Sequence, residues 1–338
     1  MKNLSLAVCT LVTLITVPSV RAADVGTVNL SLPISLTSGS SKMVGVYLAR
    51  PVLAKGELNS AVTAGATNFT AYGATNFFSA YSPASEAGAA EFAPASDNHF
   101  VVEFTSGPNT GLIKQVASFS NSVATVKGAL PALDSGTRFV LRKDHTLASL
   151  FGDGATIALQ AGSSTANSDV ISIFDSTGAL KRYFYQSGLG WRSDVNRGAG
   201  GANRAHVRVS LGTGFVIAPK ATKSIFLSGE YRGARSRITI PEAGAIVAYP
   251  YPATVTLQNS GLSTYLEKNI SSGEADVLRF LENGRYVAYH HTGSAFVKTS
   301  GNVNANGKVL GQGEAILVKP LEGFGDKELA FAPQYLAK

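Results

Sequence analysis

The chain has 338 residues, 45% of them hydrophobic and only 15% charged, with 35 glycines, 13 prolines and a single cysteine. It is too apolar to be disordered and too poor in charged helix formers to be a coiled coil or helical bundle. The formal charge of +7 is unevenly placed: residues 181–237 hold eleven basic residues against two acids, which makes a polyanion the partner class to expect for that stretch.

The N-terminus carries Lys2, an apolar run from Leu4 to Val17 and Val20-Arg21-Ala22, the pattern of a secretory signal peptide over residues 1–22 with the mature chain starting at Ala23. The run is shorter than the ~20 apolar residues that cross a bilayer, and no later segment rivals it, so no transmembrane segment is expected in the mature chain. Cleavage there removes two of the 29 basic residues and none of the 22 acids. Cys9 lies inside the signal, so disulfides, a cysteine nucleophile and thiolate metal sites are excluded from the mature protein together. The expected location is exported: periplasm, cell surface or extracellular.

Beyond the signal, apolar residues alternate or run in short blocks between Gly, Asn, Asp and Pro, the pattern of strands. It predicts strands over 28–32, 44–48, 100–104, 112–117, 122–126, 138–141, 170–174, 182–185, 206–209, 214–218, 224–227, 237–240, 245–249, 277–281, 286–289, 295–298 and 314–318. Helical signals are confined to Thr146–Phe151 and Gly261–Lys268. Many short strands with turns between them predict an all-β protein of sandwich or barrel type.

An internal repeat organises these strands. Asp169-Val-Ile-Ser-Ile-Phe recurs as Asp276-Val-Leu-Arg-Phe-Leu. Each copy runs on through a tyrosine-bearing strand, an aromatic (Trp191, Phe296) and Leu-Gly-x-Gly (211–214, 310–313). Upstream, Met43–Pro51 matches Gly244–Pro252, and Thr146–Phe151 matches Gly261–Leu266. Gly212, Gly214, Gly311 and Gly313 are expected to supply positive φ or close backbone approach. The expectation is two related β-sandwich-like units with a small β-module inserted in the first: residues 23–59 with 146–240, residues 241–338, and an inserted module over 60–145. The module opens with an Ala/Ser/Gly-rich stretch carrying the echo Gly65-Ala-Thr-Asn-Phe and Gly73-Ala-Thr-Asn-Phe.

With the repeat, the insertion and Gly188-Leu-Gly-Trp-Arg192 in view, the chain resembles a family of exported, β-rich bacterial proteins found mainly in Verrucomicrobia-type genomes. The matching elements are Phe100–Gly111, Thr146–Phe151, Asp169–Gly178, Trp191-Arg192 and Leu211–Pro219, spread over most of residues 40–230. The resemblance implies export and a β-rich fold. It carries no assigned activity and no functional residues.

Catalytic signals are sparse. Gly-x-Ser-x-Gly does not occur, and the five histidines (His99, His145, His206, His290, His291) have no spacing that points to a triad or metal site. His290 and His291 are adjacent in a predicted strand and point to opposite faces. Asn302-x-Asn304-x-Asn306-Gly307 imitates the start of a calcium loop, but its members are neutral and the twelfth position is Gly313 rather than Glu, so turn chemistry is the better reading. No metal and no cofactor is expected.

Binding signals lie in the basic segment. Arg204-x-His206-x-Arg208 alternates with Ala205, Val207 and Val209, predicting one basic strand face. With Trp191, Arg192, Arg232, Arg235 and Arg237 it forms the candidate ligand-binding set, suited to anionic polysaccharide or lipopolysaccharide. Solvated edge charges that block sheet-to-sheet association are the alternative, and Trp191 reads more readily as core than as a sugar platform. No recognition helix or aromatic-basic platform supports sequence-specific nucleic acid binding. The expectation is therefore an exported non-catalytic binding or structural protein that engages anionic glycans. A self-assembling surface or filament subunit (a homo-oligomer) and a polysaccharide-acting enzyme are the alternatives.

Overall fold

A computed structural model describes residues 28–73, 75–84, 96–175, 178–195, 201–232, 235–250 and 254–331; the expected signal peptide lies outside the described residues. The chain is all-β and sandwich-like.

One pairing scheme occurs twice. In its first occurrence a ribbon joins β1 (Val28–Leu36) to β15 (Lys223–Tyr231), and a five-stranded antiparallel sheet has the order β12 (Gly190–Ser193), β11 (Leu180–Gln186), β10 (Val170–Phe174), β14 (Gly214–Ala218), β2 (Lys42–Gly45). In its second, a ribbon joins β16 (Ser236–Ile240) to β25 (Lys327–Phe331), and a sheet has the order β22 (Val303–Asn304), β21 (Phe296–Lys298), β20 (Arg285–His291), β19 (Val277–Glu282), β24 (Ala315–Lys319), β17 (Ala245–Ala248). A short ladder completes each: β9 (His145–Thr146) with β13 (Arg208–Val209), and β18 (Val255–Thr256) with β23 (Val309–Leu310). Alternation drives the burial: Leu32, Ile34 and Leu36 of β1 face inward while Ser31, Pro33 and Ser35 face out, the period-two pattern of a strand with one wet face.

Each sheet closes its core against its own ribbon. Trp191, Phe215, Ile171 and Tyr185 meet Ile34, Leu36, Ile225 and Leu227 in the first core. Phe296, Ile316, Leu278 and Tyr289 meet Ile238, Ile240, Leu329 and Phe331 in the second. The repeated aspartate has the same task in both. Asp169 is fully buried, accepts from the backbone N–H of Gln160 and Lys220 at 2.7 Å each, and pairs with Lys223. Asp276, equally buried, accepts from Glu267 and Leu321 at 2.8 and 2.6 Å and pairs with Lys327 at 2.6 Å.

The ladders correct the residue-level alignment of the repeat. Val170 faces Ala218 as Val277 faces Lys319, and Ile217 faces Lys42 as Val318 faces Ala245. The Leu-Gly-x-Gly runs are therefore offset by two residues: Gly212 corresponds to Gly313, and Gly45 to Ala248. Of the four glycines, Gly212 and Gly313 adopt the left-handed region, at φ 86° and 70°. Gly214 is needed for close approach, since a Cβ there would sit 2.6 Å from the Val44 carbonyl. Gly311 has neither constraint and lies only against the Glu314 side chain.

The helical expectations fare unequally. Leu147–Phe151 forms α1, started by a capping box in which Thr146 Oγ1 accepts from Ser149 N and Ser149 Oγ accepts from Thr146 N. Gly261–Lys268 yields only a 3-10 turn at Leu262–Thr264, because Gly261 at its N-terminus offers no side-chain cap. The strand expected over 206–209 is likewise reduced to Arg208–Val209, since Ala205 and His206 form a turn closed by Val207 N to Arg204 O at 3.0 Å. Arg204, His206 and Arg208 share no strand face.

Between β2 and β9 the chain forms a third sheet, β3 (Val52–Glu57), β8 (Arg138–Lys143), β5 (Phe100–Phe104), β6 (Ile113–Ser120), β7 (Val123–Val126), β4 (Asn68–Thr70). Its ends meet through Asn59 N to Thr70 O (2.9 Å) and Tyr72 N to Glu57 O (2.8 Å), closing a small six-stranded barrel. Its first strand starts at Val52, ahead of residue 60, because Val52–Glu57 pairs with Arg138–Lys143. Phe69, the aromatic of the first Gly-Ala-Thr-Asn-Phe run, meets Phe78, Phe104 and Phe139 edge-on at the barrel centre, with centroids 5.2–6.2 Å apart.

Candidate functional site

The eight residues of the basic candidate set do not share one surface. Trp191 is fully buried in the first core: its indole N–H donates to the Gly152 carbonyl at 3.0 Å, and the ring lies 5.9 Å from both Phe151 and Tyr185. It is a core residue with no face for a sugar. Arg192 is 4% exposed, its guanidinium reaching back to the Trp191 carbonyl at 3.4 Å. Arg232 belongs to a buried network that fastens the barrel to the β15 end. Its Nε and Nη2 donate to Glu103 at 2.9 and 2.7 Å and its Nη1 donates to Ser236; Arg142 approaches Glu103 at 3.6 Å and pairs with Glu230. Two guanidiniums and two carboxylates neutralise each other there, a structural use of charge. Arg237 bonds Asn109 at 2.9 Å and pairs with Glu328 at 3.2 Å, while Arg235 is exposed.

Of the remaining three, Arg208 lines a cleft of about 280 Å³ where the barrel meets both sandwich-like parts, while Arg204 and His206 lie outside its lining. The barrel contributes His99, Gln115 and Lys127, and the β10–β11 hairpin contributes Phe174, Asp175, Lys181 and Tyr183. Arg208, Ser210 and Thr213 enter from the segment before β14; Thr239, Pro241 and Ile246 complete the wall from β16 and β17. Arg208 lines the cleft directly. Arg204 stands behind Tyr183: burial lowers its pKa, the Tyr183 charge opposes that shift, and Arg192 adds to it. His206 acts through its backbone, its carbonyl held by His99 Nε2 at 2.7 Å.

Three cations, Lys127, Lys181 and Arg208, line the cleft against one carboxylate, Asp175. Lys181 lies 3.4 Å from Asp175, and Arg208 lies 3.4 Å from the fully buried Asp144. Arg208 also donates to the Phe100 carbonyl at 3.2 Å, which fixes its guanidinium at the barrel's edge. Gln115 donates to Ser210 Oγ at 2.7 Å, tying the barrel to the opposite wall. Lys114 donates to Thr239 Oγ1 at 3.2 Å; burial lowers its pKa, against the pull of Glu328 and Asp326.

The repeated pairing scheme supplies an internal comparison. Lys181 faces Ile173 where Val287 faces Phe280. Arg208 faces Thr146 where Val309 faces Thr256. Arg204 bonds the Trp191 carbonyl where Ala305 bonds that of Phe296. At these three places the second occurrence of the scheme has Val, Val and Ala, so the backbone plan itself does not call for cations.

The approach of Ser149 to His145, seen among the described residues, is structural. His145 Nε2 lies 2.7 Å from the Leu48 carbonyl and so carries the proton, which leaves Nδ1 as an acceptor 3.5 Å from Ser149 Oγ. That hydroxyl is engaged in the α1 capping box, and Asp144 bonds the backbone N–H groups of His145 and Leu211 rather than the ring. No carboxylate orients this imidazole as triad chemistry requires. His290 and His291 are both buried, the first bonding Thr299 and the Ile270 carbonyl and the second edge-on to Phe296 at 4.7 Å. The asparagines of the calcium-like run bond backbone instead: Asn304 accepts from Asn306 N, and Asn306 accepts from Phe296 N. Comparison with protein-family models, curated proteins and solved structures finds no match.

Proposed function

We propose that the chain is an exported, non-catalytic binding protein of the periplasm, cell surface or extracellular space. It consists of two related β-sandwich-like units, the first interrupted by the six-stranded barrel, and it engages anionic glycans at the junction cleft. The observation that carries this reading is the convergence of Lys127, Lys181 and Arg208 on one cleft, at positions where the repeat has valine for two of them and where the third arrives on the inserted barrel. Lys181 and Arg208 are partly buried, and partial burial of a cation costs desolvation energy, so cations at positions where the repeated scheme has valine support a ligand-binding reading. The basic segment 181–237 thus acts through a few of its members; others, such as Arg192 and Arg232, are buried, and Arg182 and Arg237 are in ion pairs.

The test is retention of the full chain on immobilised heparin and alginate across a salt gradient. Lys127→Ser with Lys181→Ser should elute at clearly lower salt than the parent, because each lost contact reduces the salt dependence of polyanion binding. Arg235→Ser, on an exposed residue away from the cleft, should elute with the parent. Equal elution of the parent and the double variant would overturn the assignment of the cleft.

A further inference from the structure

We infer that the second sandwich-like part carries an intramolecular amide cross-link between Lys327 and Asp276, made by the folded chain itself with Glu267 as the proton relay. The bond ties β25 to the start of β19 and is independent of any ligand in the cleft.

The ion pair described above is its precursor. Asp276 stands directly before β19 and is fully buried, and Lys327 opens β25 with 11% of its side chain exposed. Lys327 Nζ lies 2.6 Å from Asp276 Oδ2, one covalent bond away from the carboxyl carbon, and 3.2 Å from Glu267 Oε1. An amine is thus held against a carboxyl group with a second carboxylate on the same nitrogen, and such fixed contact removes much of the entropic barrier to bond formation. The Asp276 carboxyl is oriented as well: Oδ1 accepts from Leu321 N at 2.6 Å and Oδ2 from Glu267 N at 2.8 Å. When Glu267 takes a proton from the ammonium, the nitrogen lone pair is free to attack Asp276 Cγ. Negative charge then gathers on Oδ1, where the Leu321 N–H already donates. The Cγ–Oδ2 bond breaks and Oδ2 leaves as water. Of the three ammonium protons, Glu267 relays two to Oδ2 and one stays on the amide nitrogen, so no oxidant, reductant or further reactant is needed. The product replaces a buried charged pair by a neutral amide, which costs less to keep from water.

The first occurrence of the pairing scheme is an internal control. Asp169 accepts from Gln160 N and Lys220 N and pairs with Lys223, as Asp276 accepts from Glu267 N and Leu321 N and pairs with Lys327. Glu267 therefore corresponds to Gln160, whose amide side chain cannot take up and return a proton. Among the described residues, Lys223 meets no carboxylate besides Asp169. The first pair stays ionic and the second closes.

The experiment is mass spectrometry of the full chain, measured unfolded, together with its tryptic map. The parent should be lighter than its sequence by one water. Trypsin should release residues 269–279 joined to residues 309–338, with no cut after Lys327 and none after Lys319, which precedes Pro320. Lys327→Arg and Glu267→Gln, the latter on a half-exposed side chain, should each restore the full mass, while Lys223→Arg should keep the loss of one water. A parent at full mass with residues 269–279 released alone would overturn the inference, and this readout needs no variant to fold. Loss of one water without the branched peptide, the mark of a succinimide at an aspartate, would overturn it equally. A Glu267→Gln protein that still loses the water would refute the relay, as would a second lost water with Asp169 joined to Lys223.

Discussion

Gly45 and Ala248 offer a direct test of how the two sandwich-like parts are related, because their contact is reciprocal. Gly45 N donates to the Gly313 carbonyl at 2.9 Å, and Ala248 N donates to the Gly212 carbonyl at 2.9 Å. Val44 bridges Glu314 as Val247 bridges Thr213. The apolar cluster beside these bonds pairs Met43 with Ile246, Val216 with Leu317 and Phe174 with Leu281 by position, the self-complementary pattern of an isologous two-fold interface. A Cβ added at Gly45 would lie 2.7 Å from the Ala248 Cβ and 2.9 Å from the Glu314 carbonyl, far inside the ~3.5–4.0 Å of a carbon contact. Gly45 is outside the positive-φ set, so Gly45→Ala acts through this clash alone and should cost about 1–3 kcal/mol as overpacking. Ala248→Gly removes a fully buried methyl and should cost about 1–2 kcal/mol from lost burial and added chain freedom. The double exchange moves one methyl across the axis into surroundings that the other side already provides. It should therefore be more stable than the sum of the single changes predicts, with a coupling of about 1–2 kcal/mol. Urea denaturation of the four proteins measures this; strictly additive losses would refute the two-fold relation.

Asp169→Asn and Asp276→Asn should each destabilise by about 3–5 kcal/mol, since each removes a fully buried carboxylate that pairs with a half-buried lysine and accepts from two backbone N–H groups, and similar losses in denaturation midpoint would mark the two aspartates as equivalent latches. Trp191→Ala should cost about 3–5 kcal/mol as a large-to-small core change yet leave heparin retention per folded molecule unaltered; a normal melting temperature with lost retention would reverse its assignment to the core. Burial lowers the His145 pKa, against the hydrogen bond to Leu48 and the charge of Asp144, with Arg50 adding to the lowering. A folded-state pKa below the unfolded value of about 6.5 means the unfolded chain takes up the proton first, so this contribution is present above pH ~6.5 and is lost as pH falls below it. His145→Gln should flatten the stability profile between neutral pH and the depressed folded-state pKa, and an unchanged slope would exclude His145 as the cause.

The all-β class was legible because alternation and turn residues are local signals, and strands such as Phe100–Phe104, Val170–Phe174 and Gly214–Ala218 fall where the periodicity puts them. The register of the repeat was less legible. Identical Leu-Gly-x-Gly letters suggest an alignment that the ladders shift by two residues, because a turn glycine is placed by backbone conformation and not by its neighbours in sequence. β3 and β4 escaped notice for another reason: Val52–Glu57 alternates apolar with charged or small residues only weakly, and Asn68–Thr70 is three residues long, so both are held by barrel closure more than by pattern. The cleft was the least legible part. Lys127 and Lys181 are separated by a whole core in sequence, and only the packing of the barrel against β10 and β11 brings them to one cavity. Alternation likewise predicted one basic strand at Arg204, His206 and Arg208, whereas a turn at Ala205 and His206 separates them.

The signal that would have found the site was nonetheless present in the repeat. A duplicated scheme holds its backbone demands constant, so positions where the copies differ in charge are those the scheme leaves open. Asp169 and Asp276 are charged in both and serve the fold in both. Lys181 and Arg208 are charged in the first occurrence of the scheme and stand where the second has valine, and both line the cleft beside the barrel. The barrel supplies one wall and Lys127, the first occurrence of the pairing scheme supplies the opposing cations, and the second supplies the apolar side at Pro241 and Ile246. A cleft assembled from three parts, with cations where the barrel meets β10 and β11, couples its shape to all three packings. Substitutions that loosen the Arg232–Glu103 network should therefore weaken ligand binding without touching the ligand.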